Sequence, residues 1–240
     1  MAAGSQKSGT AGRGWRKETA ACLQAVDLVL AAEPSASFLV VLTDCLQTLR
    51  TPDRARPLSI GAAMAAGEPG AGAADQIAAR AGVDAAESRA QAGLLRTDLE
   101  AAMEAPSAVV RTAHGPVSSA DLVRLLTVRA CVEALRAGAQ PPRPVLIAAS
   151  RVLAAVLGER YGGRTIEMRV PPATAVQLEA FGQGPNHHRG TPPNVAETDP
   201  VTFVKLATGQ LDWQEARRAG RIQASGSHVD AMARMLPVTP

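Results

Sequence analysis

The sequence predicts an α+β protein, a helical bundle followed by a small domain with a mostly antiparallel sheet. Three observations carry this. Apolar residues recur every three to four positions through most of residues 15–138, the period of a helix with one buried face. Ile166, Met168 and Val170 alternate with Glu167 and Arg169, and Val176, Leu178 and Ala180 alternate with Gln177 and Glu179, as half-buried strands do. Between the two patterns lies AGAQPPRP, Ala137 to Pro144, whose glycine and prolines suit a linker. These boundaries make residues 1–14 a disordered tail, 15–140 a helical bundle, and 145–240 the sheet domain with its leading helix.

The elements follow in order. Trp15 to Ala32 reads as a helix carrying Cys22, Val26, Val29 and Leu30 on one face, broken by Pro34. Ser37 to Leu49 is a second helix with a wide apolar face, which suits burial between neighbours. Thr51 to Pro57 is a turn, and Leu58 to Gly72 mixes Ile60 and Met64 with the loop composition GEPGAG. Helix resumes over Ala73 to Arg80 and Ala85 to Ala105, where Ala92, Leu95, Leu99 and Met103 form a seam. Ala108 to Arg111 is a short extended piece. Ser118 and Asp121 stand three apart as an approximate capping box for the helix that Gly138 and Pro141 close.

Pro144 opens a helix through Leu157. After the two alternating segments, Asp199 and Pro200 are the N-cap and first residue of a helix over Val201 to Leu206. Asp212 to Ala219, an extended Arg221 to Ala224, and a last helix over Ala231 to Leu236 complete the chain.

Composition narrows the function classes. The chain has 240 residues, 46% of them hydrophobic but only 2% aromatic, so alanine-rich helices must pack closely. Its net charge of +3 is the small difference of 25 basic and 22 acidic residues. No basic block interleaved with aromatics is present, which argues against nucleic acid as a partner. No run approaches the ~20 apolar residues of a membrane span. Cys22, Cys45 and Cys131 are isolated and odd in number, which reads as buried thiols in a reducing, cytoplasmic compartment. The N-terminal stretch lacks the continuous apolar core of a signal peptide.

Motif chemistry is sparse. GQGP lacks the spacing and lysine of a phosphate loop, and no GxSxG, Cys/His or Ser/His/acid arrangement is supported by spacing. No catalytic residue, cofactor or metal is therefore expected. His187, His188 and Arg189, with Thr191 and Asn194, form the sharpest polar cluster, a shaped Pro/Gly loop suited to a protein partner. The apolar residues divide into two layers. Ile166, Met168, Val170, Val176, Leu178 and Phe181 line one sheet face, and Phe203, Leu206, Trp213, Ile222, Met232, Met235 and Leu236 oppose it.

RVPP, HRGTPPNVAETDP, FVKLATG and WQEARRAGRIQAS occur in that order over residues 160–240, which resembles the bacterial branch of the sterol carrier protein-2 (SCP-2) superfamily. The resemblance implies a compact α/β fold whose two apolar layers open into a cavity for fatty acid, acyl lipid or a sterol-like ligand. The function that follows is a non-catalytic intracellular lipid carrier, with a ligand-free protein-interaction module as the alternative.

Residues 36–138 resemble the bundle of mycothiol-dependent maleylpyruvate isomerases and their DinB-like relatives, on the strength of HGPVSSAD and LVRLLTVRACVEALRAG. In that family the helix carries a glutamate and, four residues on, a histidine, which with a third ligand hold a divalent metal. The resemblance sets Glu133 at the acidic position and Ala137 where the histidine belongs. His114 is the one histidine before residue 187. A metal-dependent thiol-cofactor isomerase or transferase is thus the remaining alternative, and Glu133 reads more simply as the ion-pair partner of Arg129 one turn away.

Overall fold

In the computed structural model, residues 8–32, 34–66, 85–182 and 192–239 are described. The chain forms two units, Met1–Pro57 with Pro69–Val145, and Leu58–Glu68 with Leu146–Pro240.

The first unit is built on helices α1 (Ser8–Ala31), α2 (Ala36–Leu49), α4 (Ala85–Glu104) and α5 (Ser119–Arg136). α1 packs against α4 and α5, and α2 packs against the same pair. Their shared interior holds Cys22 and Val26 of α1, Phe38 and Leu42 of α2, Leu99 of α4, and Val123 and Cys131 of α5, all buried. Fully burying each large apolar side chain contributes roughly 1.5–3 kcal/mol. The spacing that predicted these helices is the spacing that points into this interior.

Two expectations are corrected here. Residues 8–14, expected as part of a disordered tail, continue α1: no proline interrupts them. Trp15 ties this end down by donating its indole N–H to the Met103 carbonyl at 2.9 Å. Nor is the bundle all helical. Strands β1 (Val109–Thr112) and β2 (Gly115–Ser118) form an antiparallel hairpin that sets the buried Val110 opposite the buried Val117. Gly115 turns it with a φ of 131°, open to glycine but not to a residue with a β-carbon. Each strand is only four residues long, too short to outweigh the surrounding helical period. The expected helix over Ala73 to Arg80 lies outside the described residues.

Caps behave as their chemistry requires. Ser118 accepts the Asp121 N–H at 3.0 Å as an N-cap and donates its hydroxyl to Asp121 Oδ2 at 2.7 Å, so the aspartate holds the serine hydroxyl and not its backbone N–H. Asp199 accepts the N–H groups of Val201 and Thr202 at 2.9 and 3.0 Å.

The second unit carries a four-stranded sheet of order β4-β3-β5-β6. Its strands are β3 (Gly162–Val170), β4 (Thr174–Leu178), β5 (Asn194–Glu197) and β6 (Gln223–Ser225). β4 runs antiparallel to β3, β5 parallel to β3, and β6 antiparallel to β5. Helices α6 (Arg143–Tyr161), α7 (Pro200–Ala207) and α8 (Trp213–Arg218) complete the unit. The last expected α-helix is instead a 3-10 helix over Val229–Arg234. Strand β5 was not anticipated, because its four residues directly follow a proline run that reads as loop.

The composition-ambiguous stretch after Pro57 belongs to this unit. It forms α3 (Ile60–Ala65), with Ala63 and Met64 buried. Glu159 of α6 accepts the Gly61 N–H at 3.0 Å and the Ser59 hydroxyl on its other oxygen. A carboxylate is favoured at that place because the first turn of a helix presents unpaired N–H groups.

Candidate functional sites

The two apolar layers come first. Ile166, Met168, Val170 and Leu178 of the sheet are buried, and so are Phe203, Leu206, Trp213, Ile222, Met232 and Met235. Val176 and Leu236 are half-buried. The buried members exclude water from one another. The indole N–H of Trp213 is satisfied within the protein, donating to Asp230 Oδ1 at 2.8 Å.

Phe181 departs from this layer. It follows β4 with a φ of 54°, and that reversal carries its ring to the surface, where it is 39% exposed. There it meets the edge of Tyr161 at a centroid distance of 5.9 Å and lies 4.1 Å beneath the Arg234 guanidinium.

The expected interaction loop is divided by what is described. His187, His188, Arg189 and Thr191 lie outside the described residues. Asn194 is buried, donates to the Thr165 carbonyl at 2.9 Å, and accepts the His228 N–H at 2.8 Å.

A groove of about 320 Å³ opens at one end of the sheet, between the Pro171–Thr174 turn and Arg169, Ala175 and Glu197. The turn is held by the Ala173 N–H on the Val170 carbonyl at 2.7 Å and by Arg151 Nε on the Ala173 carbonyl at 3.0 Å. Sequence reasoning had no signal for it, since Arg169 and Glu197 meet only once β3 and β5 pair in register.

In the first unit, polar groups gather where α5 passes the start of α2. Ser35, the N-cap of α2, accepts the Phe38 N–H at 3.2 Å and donates its hydroxyl to Glu133 Oε1 at 2.6 Å. Glu133 Oε2 lies 4.0 Å from Arg129 Nη2 and 3.9 Å from Arg136 Nη1. Arg129 also donates to the Ser37 hydroxyl at 3.2 Å. Glu133 is 16% exposed and Arg129 20%. The Glu133–Arg129 pairing is the one its spacing suggested; Ser35 and Arg136 were not foreseen. His114, at the β1–β2 turn, is exposed and donates its backbone N–H to Thr112 Oγ1 at 3.1 Å.

A divalent metal at Glu133 does not fit this donor set. Ala137, the C-cap residue of α5, stands where an imidazole is required. Two guanidinium groups within 4.0 Å of the carboxylate repel a cation, and like charges at such range interact by several kcal/mol at an effective dielectric of about 20. Among the described residues no three His, Cys, Asp or Glu side chains converge on one point.

Residues 142–238 match the family model described as a bacterial SCP ortholog. No curated protein matches the chain. Among solved structures, the mycothiol-dependent maleylpyruvate isomerase is similar at 15% identity with a TM-score of 0.49, over 88% of this chain and 90% of that one. A histidine-to-alanine mutant of that isomerase is similar over the same shares with a TM-score of 0.48. Both resemblances read from the sequence are thereby found, the family model over residues 142–238 and the isomerase likeness over most of the chain. The expectations of a non-catalytic lipid carrier and of a chain without enzymatic role are corrected. The finding against them is that the similar solved structures are named as an isomerase. Among the described residues no helix is long and apolar enough to cross a membrane.

Proposed function

We propose that the chain is an enzyme of isomerase or transferase type that handles a small anionic substrate at the Glu133 cluster of the helical unit. One observation supports this above others: a largely buried carboxylate that takes a 2.6 Å bond from a serine hydroxyl and faces two guanidinium groups within 4.0 Å. Each member has a role in acid–base chemistry. Glu133 accepts a proton, the Ser35 hydroxyl relays it, and Arg129 and Arg136 hold a carboxylate of the substrate. The guanidinium pair supplies positive charge where anionic character develops, without a metal.

Thiol-dependent isomerisation, the activity in the name of the similar solved structures, is the first reaction to test. The chain's own thiols do not replace a soluble one, because Cys22, Cys45 and Cys131 are all buried. The test supplies maleylpyruvate and mycothiol to the full chain and follows turnover, with substrate binding measured in parallel. Turnover lost in Glu133→Gln, with weakened binding in the more exposed Arg136→Gln, supports the reading. A wild-type chain that neither binds nor converts the substrate overturns it, as does turnover unchanged in both variants.

A further inference from the structure

The outward face of the second unit's sheet carries a charged pair that nothing above employs. Strand register aligns Ala175 of β4, Arg169 of β3, Glu197 of β5 and Gln223 of β6 in one row. Adjacent strands lie ~4.8 Å apart, so Arg169 and Glu197 present opposite charges side by side. They do so at the mouth of the 320 Å³ groove.

The two charges are differently engaged. Arg169 Nη2 donates to Glu167 at 2.9 Å, and the planar guanidinium has further donors in its fork. Its pKa is raised, first by the hydrogen bond to Glu167 and then by the surrounding carboxylates, Glu197 among them. Among the described residues the Glu197 carboxylate has no hydrogen-bond partner. Its strand position keeps it half-buried beside the groove.

The groove's remaining wall is apolar apart from Thr174. Pro171 and Pro172 have no N–H to offer, and the bonds from Arg151 and to Val170 hold the turn in place. An acceptor for a cation and a donor for an anion, one strand apart, thus stand against a preformed apolar wall. That is the complement of a molecule carrying ammonium and carboxylate groups close together on an apolar body.

We propose that this groove binds a small zwitterion of the amino-acid class. Its ammonium pairs with Glu197, its carboxylate with Arg169, and its side chain lies along Pro171 and Pro172. The volume is at the low end for small-molecule sites, which suits one amino acid better than a longer peptide. The Glu133 reaction centre plays no part in this inference, so either proposal stands if the other fails.

The probes are leucine, N-acetylleucine and leucinamide, titrated into the full chain by calorimetry and ligand-observed NMR. The first has both charges, the second lacks the ammonium, and the third lacks the carboxylate. Leucine should bind saturably, and each blocked probe should lose about tenfold or more, the effect of one charge-assisted contact. Glu197→Gln should abolish the distinction between leucine and N-acetylleucine. Arg169→Gln should abolish that between leucine and leucinamide. Both positions are on the open sheet face, so far-UV circular dichroism should remain that of the wild type. No saturable binding of leucine by roughly 10 mM overturns the proposal. So does leucinamide binding as tightly as leucine, or affinity unaffected by both substitutions.

Discussion

Asn194 and His228 are joined by a 2.8 Å bond from the His228 backbone N–H to Asn194 Oδ1, while Asn194 Nδ2 donates to the Thr165 carbonyl at 2.9 Å. One buried amide thus ties β5 to the β3 backbone and to the segment after β6. Asn194→Ala leaves the buried Thr165 carbonyl and the half-buried His228 N–H without their bonds. The expected loss is roughly 2–4 kcal/mol of unfolding free energy in the second unit, since each unsatisfied buried group costs ~1–3 kcal/mol. Denaturant unfolding of the variant checks this, and a loss below about 0.5 kcal/mol would remove the clamp from the account of this sheet.

Gly226 makes the same corner sensitive from the other side. It has a φ of 96°, and a β-carbon there would stand 2.7 Å from the Pro193 carbonyl oxygen and against Asn194 Oδ1. Gly226→Ala therefore meets backbone strain and a collision with a fixed carbonyl together. The expected result is destabilisation at least as large as that of Asn194→Ala, and a purified variant as stable as wild type in a thermal melt contradicts it.

A second pair links segments 98 residues apart. Glu159 accepts the Gly61 N–H, and a β-carbon at Gly61 would lie 2.7 Å from the Glu159 carboxyl carbon. That carboxyl is the movable end of its side chain, so Gly61→Ala should displace it without deforming α3. Glu159→Ala and Gly61→Ala each lose the same bonds, at about 1 kcal/mol. The double variant should cost little more than either single change, since both remove one interaction. Strictly additive losses would show that the two substitutions act independently.

How much of this was legible in the sequence depended on the range over which the residues act. Ser118 and Asp199 could be placed because an N-cap contacts only the next turn. The Glu133–Arg129 pair was visible because both lie one turn apart on one helix. Ser35 was not, being 98 residues from the carboxylate it binds. Strands β1, β2 and β5 were missed or left as fragments because four residues hold barely two periods of alternation, and their partners are non-local. The groove is a product of register. Neither Arg169 nor Glu197 has a sequence neighbour that announces the other.

Asp44 offers a pH test in the first unit. Its pKa is raised, first by burial and with the charge of His114 acting in the opposite direction. A carboxyl whose folded pKa lies above its unfolded one binds more protons when folded. Its contribution to stability is therefore present below the ordinary aspartate range and is lost as pH rises through the folded value. At pH 7 the ionised Asp44 is thus a burden. Asp44→Asn should raise the melting temperature at pH 7, and the gain should vanish as the pH falls below the usual carboxylate range. A variant less stable than wild type at pH 7 contradicts the assignment of burial as the dominant cause.

The three thiols give the last prediction, and its sense follows from desolvation. Burial pushes Cys22 and Cys131 up to about 12 and moves Cys45 well above its ordinary value. Alkylation requires the thiolate, so at pH 8 the reactive form is suppressed by the shifted equilibrium, and reagent is excluded by packing as well. Native protein should resist iodoacetamide at all three positions, while denaturant should release three equivalents of reaction. Cys22→Ala and Cys131→Ala each remove a buried sulfur and leave a small cavity, at roughly 1–2 kcal/mol. Rapid labelling of any one cysteine in the folded chain would mean that the interior formed by α1, α2 and α5 opens on the timescale of the reagent. That would contradict the close packing that α1, α2, α4 and α5 share.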